Sequence, residues 1–231
     1  MVAALTTIPE LLTFTLLSIT TWLSLQLYVR HYGLISLARS IIKFNSWIYT
    51  IVSFFMFLVI ITVPDSPTGT GITTEEHTFF SSASKRYIYH LSKFYEFLDI
   101  LLVCAAGSPI NLHFAFHHLT TPYLTFVRFL PGTAKNNNDG WRAFAAANTF
   151  HHVLMYAYFG GASVLGSILP VTGTLQLLIG IAVDLAVGFR RYRAGDAGAG
   201  GVGACWPYFA SAGLLGVYFV LHLRDLRARR I

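Results

Sequence analysis

Three histidines fall within six residues of a mostly apolar stretch of this chain, at His113, His117 and His118. On a helix, His113 and His117 share a face because they are four residues apart, whereas His118 points about 100° away. Neutral imidazole is both a nucleophile and a proton carrier near pH 7. We therefore predict a functional cluster here rather than three packing residues.

A second polar stripe comprises Asn148, His152 and Tyr156, which are spaced by four residues and so share a helix face. His151 begins the next face, and Tyr158 follows on the same segment. The stripe predicts basic and hydrogen-bonding side chains that project into a cavity between helices. The alternative is an interfacial tyrosine belt with an incidental histidine pair, because tyrosine is common at membrane interfaces.

A third group carries charge of both signs, at His90, Lys93, Glu96 and Asp99. The spacing of three places each residue about one helical turn from the next. Lys93 and Glu96 can pair, and Glu96 and Asp99 lie close enough to change each other's proton affinity. The alternative is a structural ion pair that joins two helices.

Together the three groups supply imidazoles, carboxylates and an ammonium group, whereas no serine or cysteine stands in an evident nucleophilic setting. This combination predicts acyl transfer or carbon–carbon bond formation at a thioester, or else metal chemistry. Ionisable groups at membrane depth are costly and mark functional sites by default. The prediction therefore depends on whether these stretches lie in a membrane.

Composition indicates that these stretches lie in a membrane. Of the 231 residues, 55% are hydrophobic and 11% are charged, against about 25% charged in an average soluble protein. A membrane helix needs about 20 mostly apolar residues, and seven segments qualify, near residues 11–29, 41–63, 87–106, 109–130, 141–162, 170–189 and 207–223. Six spans are an alternative, because only Gly160, Gly161 and Pro170 separate the fifth from the sixth. We predict an all-α integral membrane protein in which residues 1–231 form a single polytopic domain.

The distribution of lysine and arginine predicts the orientation of these spans. Positive residues between the first two spans and after the last one favour a cytosolic C-terminus, although Arg190, Arg191 and Arg193 would then face the other side. The net charge of +6 thus reflects membrane topology rather than nucleic-acid binding. Cys104 and Cys205 are too few for a disulfide framework.

Four motifs between about residues 85 and 223 resemble, in the same order, those of the membrane fatty-acid elongases, the 3-ketoacyl-CoA synthases of the endoplasmic reticulum. The ordered set is specific, whereas each motif alone is weak. By this resemblance the chain is a divergent and short member of that family. The motifs are Lys93-Phe-Tyr-Glu96-Phe-Leu-Asp99, His117-His118 followed by Pro122, Asn148 to His152 with Met155-Tyr156-Ala-Tyr158, and Cys205-Trp-Pro-Tyr.

The chain also departs from the family pattern. Phe114 occupies the place of the first histidine in the usual His-x-x-His-His box, and His113 lies one residue earlier. Positions three and four before His117 both lie near its helix face, so His113 can substitute. Ile100 stands where a threonine is usual.

The resemblance implies a seven-helix fold in which helices two to seven ring a narrow acyl-chain tunnel. It also implies a two-stage condensation. His117 would attack the acyl-CoA thioester to give an acyl-imidazole, and the enolate of decarboxylated malonyl-CoA would then attack the acyl group to give 3-ketoacyl-CoA. His152 would act as a base or hold the reacting oxygen. The resemblance implies no metal and no organic cofactor.

Supporting roles follow from the same resemblance. His118 and His113 would orient His117 and His152. Lys93 would meet the phosphates of CoA or the malonyl carboxylate, unless the neighbouring carboxylates simply hold it in place. The substrate-binding candidates are Lys93, Glu96, Asp99, Asn148, His151, Tyr156, Tyr158 and Gln176.

The sequence is also consistent with two other classes of protein. A membrane di-iron desaturase or hydroxylase also uses histidine boxes, and His113-x-x-x-His117-His118 resembles one. Such sites need many ligands, however, and three of the chain's nine histidines lie far from the boxes in sequence. The second class is a non-catalytic elongase-like lipid-binding protein, or a transporter, which the displaced box histidine favours.

The expected partners are acyl-CoA, malonyl-CoA and the lipid bilayer, and not nucleic acid. Other enzymes of the elongation cycle and a second copy of the chain are further candidates. The resemblance predicts a multi-pass protein of the endoplasmic reticulum membrane with its C-terminus in the cytosol. Arg227-Ala-Arg229-Arg230 weakly resembles a basic retrieval signal.

Overall fold

The structure is a computed structural model that describes residues 5–63, 82–127, 140–193 and 205–228. Every regular element in these residues is a helix, so the predicted all-α fold is confirmed. The end of the fourth predicted span, at 128–130, and the arginines at positions 229 and 230 lie outside the described residues.

The helices follow the predicted spans in order. They are α1 (Ile8–Tyr32), α2 (Ala38–Thr62), α3 (Ser82–Tyr95), α4 (Phe97–Ala105), α5 (Leu112–Phe126), α6 (Trp141–Gly160), α7 (Leu169–Arg193) and α8 (Trp206–Ala228). Only Glu96 separates α3 from α4, so these two helices together occupy the third predicted span.

Four of the helices, α1, α2, α7 and α8, are long and apolar enough to cross a membrane by length and composition. The helices between α2 and α7 are shorter or more polar. The reason is visible in α3, which carries Lys85, Arg86, His90 and Lys93 within two and a half turns. Buried polar and charged residues are therefore what weakens the hydropathy of the third predicted span.

A glycine separates the fifth and sixth predicted spans. Gly161 follows α6 with φ of 122°, a backbone conformation that residues with a Cβ atom rarely adopt. A short 3₁₀ helix, Ser163–Ser167, then leads into α7. The two spans are consequently separate helices, in agreement with the seven-span interpretation rather than the six-span one.

Helices α2 to α8 pack around one interior, and α1 lies outside them. The closest pairs are α2 with α6 and α7 with α8. Helices α2 and α6 run antiparallel, since the Trp47 indole donates to the carbonyl of Gly160 at 3.1 Å and Arg142 Nε donates to that of Ile60 at 3.1 Å. Helix α1 packs mainly against α4 and buries only Leu11.

The interior has a packed half and a hollow half. In the packed half, Leu124, Phe144 and Leu215 form one buried cluster with Leu177 and Tyr218, which also reach the cavity. The helices come very close there, because a Cβ atom at Gly180 would lie 2.6 Å from the ring of Phe144. In the other half, the same helices turn polar side chains toward a cavity.

Candidate functional site

A cavity of about 560 Å³ lies between α2, α4, α5, α6, α7 and α8, with α1 taking no part. Twelve side chains were predicted for the site from the sequence. Two of them, Lys93 and Asn148, lie behind the cavity wall. The other ten line the cavity: His113, His117, His118, Glu96, Asp99, His151, His152, Tyr156, Tyr158 and Gln176.

Helix α5 positions the histidine box. Asn111 caps its N-terminus by accepting a hydrogen bond from the amide of Phe114 at 2.7 Å, which is a favoured role for asparagine. The four-residue spacing then places His113 and His117 on one face, with ring centroids 6.2 Å apart. Phe114, at the place of the missing box histidine, packs against His118 at 4.3 Å.

The interruption at Glu96 provides a partner for the next histidine of the box. The carbonyl of Glu96 accepts the amide of Asp99 at 3.1 Å and also lies 2.8 Å from Nδ1 of His118. A carbonyl only accepts, so neutral His118 carries its hydrogen on Nδ1. The box is thereby tied to the charged segment of the third span.

His117 differs from the other histidines of the cavity. Its Nδ1 is buried and has no hydrogen-bond partner among the described residues. The ring lies edge-on to Tyr218, with centroids 4.7 Å apart. Its position is thus set by packing rather than by hydrogen bonds to Nδ1.

A buried layer of polar contacts around Lys93 lies behind the cavity, and Glu96 joins this layer to the cavity wall. Lys93 Nζ donates to Glu96 Oε1 at 2.7 Å and to Asn148 Oδ1 at 2.8 Å, and it lies over the ring of Tyr89. Lys93 and Glu96 are both 1% exposed. Tyr89 adds a hydrogen bond to the same oxygen of Asn148 at 2.8 Å.

This layer determines the tautomer of His152. Because the ammonium group of Lys93 only donates, the atom of Asn148 that it contacts is the amide oxygen. The amide nitrogen then donates to Gln176 Oε1 at 2.8 Å and to His152 Nε2 at 3.3 Å. Nε2 must accept, so neutral His152 carries its hydrogen on Nδ1, which lies 3.5 Å from Glu96 Oε1.

The carboxylates also have tyrosine partners. Tyr156, a predicted site residue, donates its hydroxyl to Asp99. Tyr49 of α2 donates to Glu96 Oε1 at 3.0 Å and stacks near Tyr156 with centroids 4.2 Å apart. Tyr49 was not predicted from the sequence, because it lies 47 residues before Glu96 and its segment resembles a plain apolar span.

A second polar cluster lies where α5 begins and α8 ends. Asp225 Oδ2 lies 3.1 Å from Nδ1 of His113 and accepts from the Asn111 amide at 3.1 Å. His222 lies beside His113, with ring centroids 5.9 Å apart. Asp225 and His222 were both missed from the sequence. The only available signal was their spacing of three on one apolar helix, which places them on one face.

Two further histidines of the predicted polar groups differ in their surroundings. His90, the first member of the charged stripe, lies away from the cavity, with its ring nitrogens 2.6 Å from Thr125 Oγ1 and 2.8 Å from the carbonyl of Leu5. His151 lines the cavity, and its Nδ1 lies 2.9 Å from Thr172 Oγ1. Among the described residues, no group of three or more His, Cys, Asp or Glu side chains is arranged to hold a metal ion.

Comparison with known proteins supplies a family. The model of the ELO family, described as the GNS1/SUR4 family, matches residues 4–224 of this chain. A putative fatty acid elongase of Dictyostelium discoideum is 33% identical over 73 residues, which cover 32% of this chain and 23% of that protein. The fatty acid elongase sre1 of the same organism is 32% identical over 77 residues, which cover 32% of this chain and 26% of that protein. The alignments thus span about a quarter of these relatives, and no solved structure matches the chain.

Proposed function

The chain belongs to the ELO (GNS1/SUR4) family, and from this premise we propose that it is a condensing enzyme of fatty-acid elongation. It joins malonyl-CoA to a long-chain acyl-CoA, releases carbon dioxide and gives a 3-ketoacyl-CoA. The observation that carries the proposal is a single cavity lined by several histidines, of which His117 has an uncommitted buried nitrogen.

His117 is the proposed nucleophile. A nucleophilic imidazole must keep a lone pair available for the thioester carbon. The other three catalytic candidates each have a ring nitrogen held close to a polar group: His113 by Asp225, His118 by the Glu96 carbonyl and His152 by the Asn148 amide. His117 is held by the packing of its ring instead, which leaves it free to form and break a covalent bond.

The acylation step follows from ordinary thioester chemistry. A ring nitrogen of His117 attacks the carbonyl carbon of acyl-CoA, the carbon–sulfur bond breaks and CoA leaves as its thiolate. The proton of the other ring nitrogen ends on that sulfur, so the products are neutral acyl-imidazole and free CoA. A low-dielectric site strengthens the electrostatic interactions that favour this transition state.

The condensation step uses the acyl-imidazole as the acyl donor. Malonyl-CoA loses carbon dioxide, and the carbon of the resulting enolate attacks the acyl carbon. The carbon–nitrogen bond breaks, and the released nitrogen of His117 takes up one proton. Neutral His117 is thereby restored for the next cycle.

His152 is proposed to stabilise the developing oxyanion. Its Nδ1–H is 3.5 Å from Glu96 Oε1, which is longer than an ordinary hydrogen bond. The N–H is therefore available to a substrate oxygen, while Asn148 holds the opposite nitrogen and fixes the ring. Preorganised donors of this kind are worth about 10²–10³-fold in rate.

For Lys93, the geometry favours a structural role beside the neighbouring carboxylates over contact with the phosphates of CoA or the malonyl carboxylate. Lys93 is almost fully buried, and the cavity wall lies between it and any bound substrate. Its contacts with Glu96 and Asn148 indicate that it neutralises the carboxylate and orients the amide that holds His152.

The proposal extends to location and orientation. Asn111 is exposed and Asp225 is half-buried, and both line the cavity at the end of the helix ring that also holds the end of α8. We infer that the cavity opens at this end. If the C-terminus is cytosolic, as the lysine and arginine pattern favours, this mouth opens to the side where CoA esters are soluble. We accordingly propose the endoplasmic reticulum membrane as the location, from the family resemblance.

A second candidate function is a non-catalytic lipid-binding member of the same family. Phe114 favours it, because a phenylalanine ring packs on His118 where the family places a histidine. Such a protein would bind acyl-CoA in the same cavity without turnover.

Turnover of labelled malonyl-CoA separates the two functions. Membranes that carry the wild-type chain, with a panel of acyl-CoAs, should form labelled 3-ketoacyl product. His117→Ala should lower product formation about a thousandfold or more, since loss of a nucleophile removes the covalent route. His31→Ala is the matched control, because His31 is exposed at the end of α1 and should have no effect.

A folded wild-type protein that binds acyl-CoA and forms no product with any acyl chain would refute the enzyme and support the lipid-binding function. His117→Ala activity above about a tenth of wild type would refute the acyl-imidazole.

A further inference from the structure

Asp225 lies at the mouth of the cavity and holds three neighbours. Its Oδ2 is 3.1 Å from Nδ1 of His113 and accepts from the Asn111 amide at 3.1 Å, while its Oδ1 is 3.8 Å from the guanidinium of Arg224. The side chains of His113 and Asp225 are each 20% exposed. Asp225 comes from α8, more than a hundred residues from the histidine box, so only the tertiary fold makes this contact.

The contact fixes the chemistry of His113. A carboxylate only accepts hydrogen bonds, so Nδ1 of neutral His113 carries the hydrogen and Nε2 keeps the lone pair. In hydrolytic triads, an aspartate holds a histidine in this tautomer and stabilises the imidazolium that forms when the histidine takes a proton. Asp225 therefore prepares His113 to accept and return a proton.

His113 is placed to exchange that proton with His117. The two rings lie on one face of α5 with centroids 6.2 Å apart, a gap that one water molecule or a small ring rotation closes. The first position of the box holds no histidine that could carry the proton, because Phe114 occupies it and packs against His118. No other carboxylate is hydrogen-bonded to a histidine side chain of α5 among the described residues.

We propose that Asp225 is a positioning residue that acts through His113, and that the pair replaces the missing box histidine as the proton carrier for His117. This inference rests on the proposed elongase activity and deepens it. During acylation, the proton of His117 passes to Nε2 of His113 and then to the CoA thiolate. During condensation, a proton from solvent passes through Nε2 of His113 to the nitrogen that the acyl group leaves, so one proton is consumed for each carbon dioxide released.

The central variant is Asp225→Asn, which keeps the shape and loses the charge. It should lower kcat about 100-fold, within the range typical of general acid–base catalysis, and leave KM for acyl-CoA within about twofold. Thiol release from acyl-CoA without malonyl-CoA should slow to a similar extent. Asp225→Glu, which restores the carboxylate, should recover at least about a tenth of wild-type kcat.

Arg224→Gln is the matched control. It removes the other charged neighbour of the same carboxylate and leaves the contact with His113 intact, so kcat should not change. The double variant His113→Gln with Asp225→Asn should be no slower than His113→Gln alone, because residues that act as a unit are not additive.

Three results would overturn the inference. One is a wild-type kcat in Asp225→Asn, and the second is a raised KM with unchanged kcat, which would indicate binding. The third is a double variant slowed by the product of the single effects. If Asp225→Asn fails to fold, a folded Asp225→Glu with less than about a hundredth of wild-type kcat overturns the inference in the same way. Failure of the proposed function is distinct, since the wild-type chain itself would then form no product.

Discussion

Helices α5, α6 and α8 each contribute to two halves of the interior that differ in the polarity of their side chains. In the packed half, residues such as Leu124 of α5, Phe144 of α6 and Leu215 of α8 fill the interior with apolar side chains. In the hollow half, His117, His152 and His222 of those three helices line a cavity. Helices α5 and α8 run antiparallel, so their polar ends meet where Asn111 contacts Asp225.

The comparison shows where the stability and the reactivity of this fold reside. Buried polar atoms without partners are costly, and two of them, His117 Nδ1 and Glu96 Oε2, are in the hollow half. The closely packed half can compensate that cost through dispersion and close helix contact. Changes in the cavity lining should therefore act mainly on turnover, whereas changes in the packed half or in the buried Lys93–Glu96 ion pair should act mainly on stability.

The largest expected effect on stability comes from breaking the buried ion pair. Lys93→Met leaves the carboxylate of Glu96 buried without its cation and should lower the free energy of unfolding by about 3–5 kcal/mol. Thermal unfolding in detergent measures this loss of stability. The double variant Lys93→Met with Glu96→Gln is the control, because it removes both charges and should recover most of the loss. If Lys93→Met were as stable as the wild type, the stability of the fold would not depend on the Lys93–Glu96 ion pair.

The next effect tests the packed half. Leu215 is 1% exposed, and Leu215→Ala should lower the free energy of unfolding by about 2–4 kcal/mol through the lost apolar contacts and the cavity that forms. The folded fraction should keep the wild-type KM for acyl-CoA, since Leu215 does not line the site. A changed KM with unchanged stability would mean that the two halves are not separable.

The smallest effect tests how close the helices of the packed half lie. Gly180→Ala places a Cβ atom 2.6 Å from the ring of Phe144 and 2.8 Å from Leu215, and overpacking of this kind costs about 1–3 kcal/mol. Gly213→Ala is the matched control, because nothing lies within 4 Å of its Cβ position and the variant should be neutral or slightly stabilising. A neutral Gly180→Ala would indicate that the packed half yields to an added methyl group.

Much of the fold and of the candidate site could be predicted from local sequence patterns. The hydropathy segments predicted the helices, and the three- and four-residue spacings predicted that His113, His117, Glu96 and His152 share faces directed at one interior. Periodicity is a property of the chain alone, so it needs no knowledge of neighbouring helices. The interruption at Glu96 was not predicted, because no glycine or proline marks it in the sequence.

The sequence by itself determined the class of protein, the order of its helices, the motifs of its family and most of the polar side chains that line the cavity. Only the tertiary structure decided that Lys93 lies behind the wall, that Asn148 sets the tautomer of His152, and that Asp225 holds His113. Lys93 contacts Asn148 across 55 positions and thereby orients the amide that meets His152, and Asp225 contacts His113 across 112 positions. These contacts depend on which helices pack together and in which register, and that choice is made by burial and packing across the whole ring rather than by any local pattern.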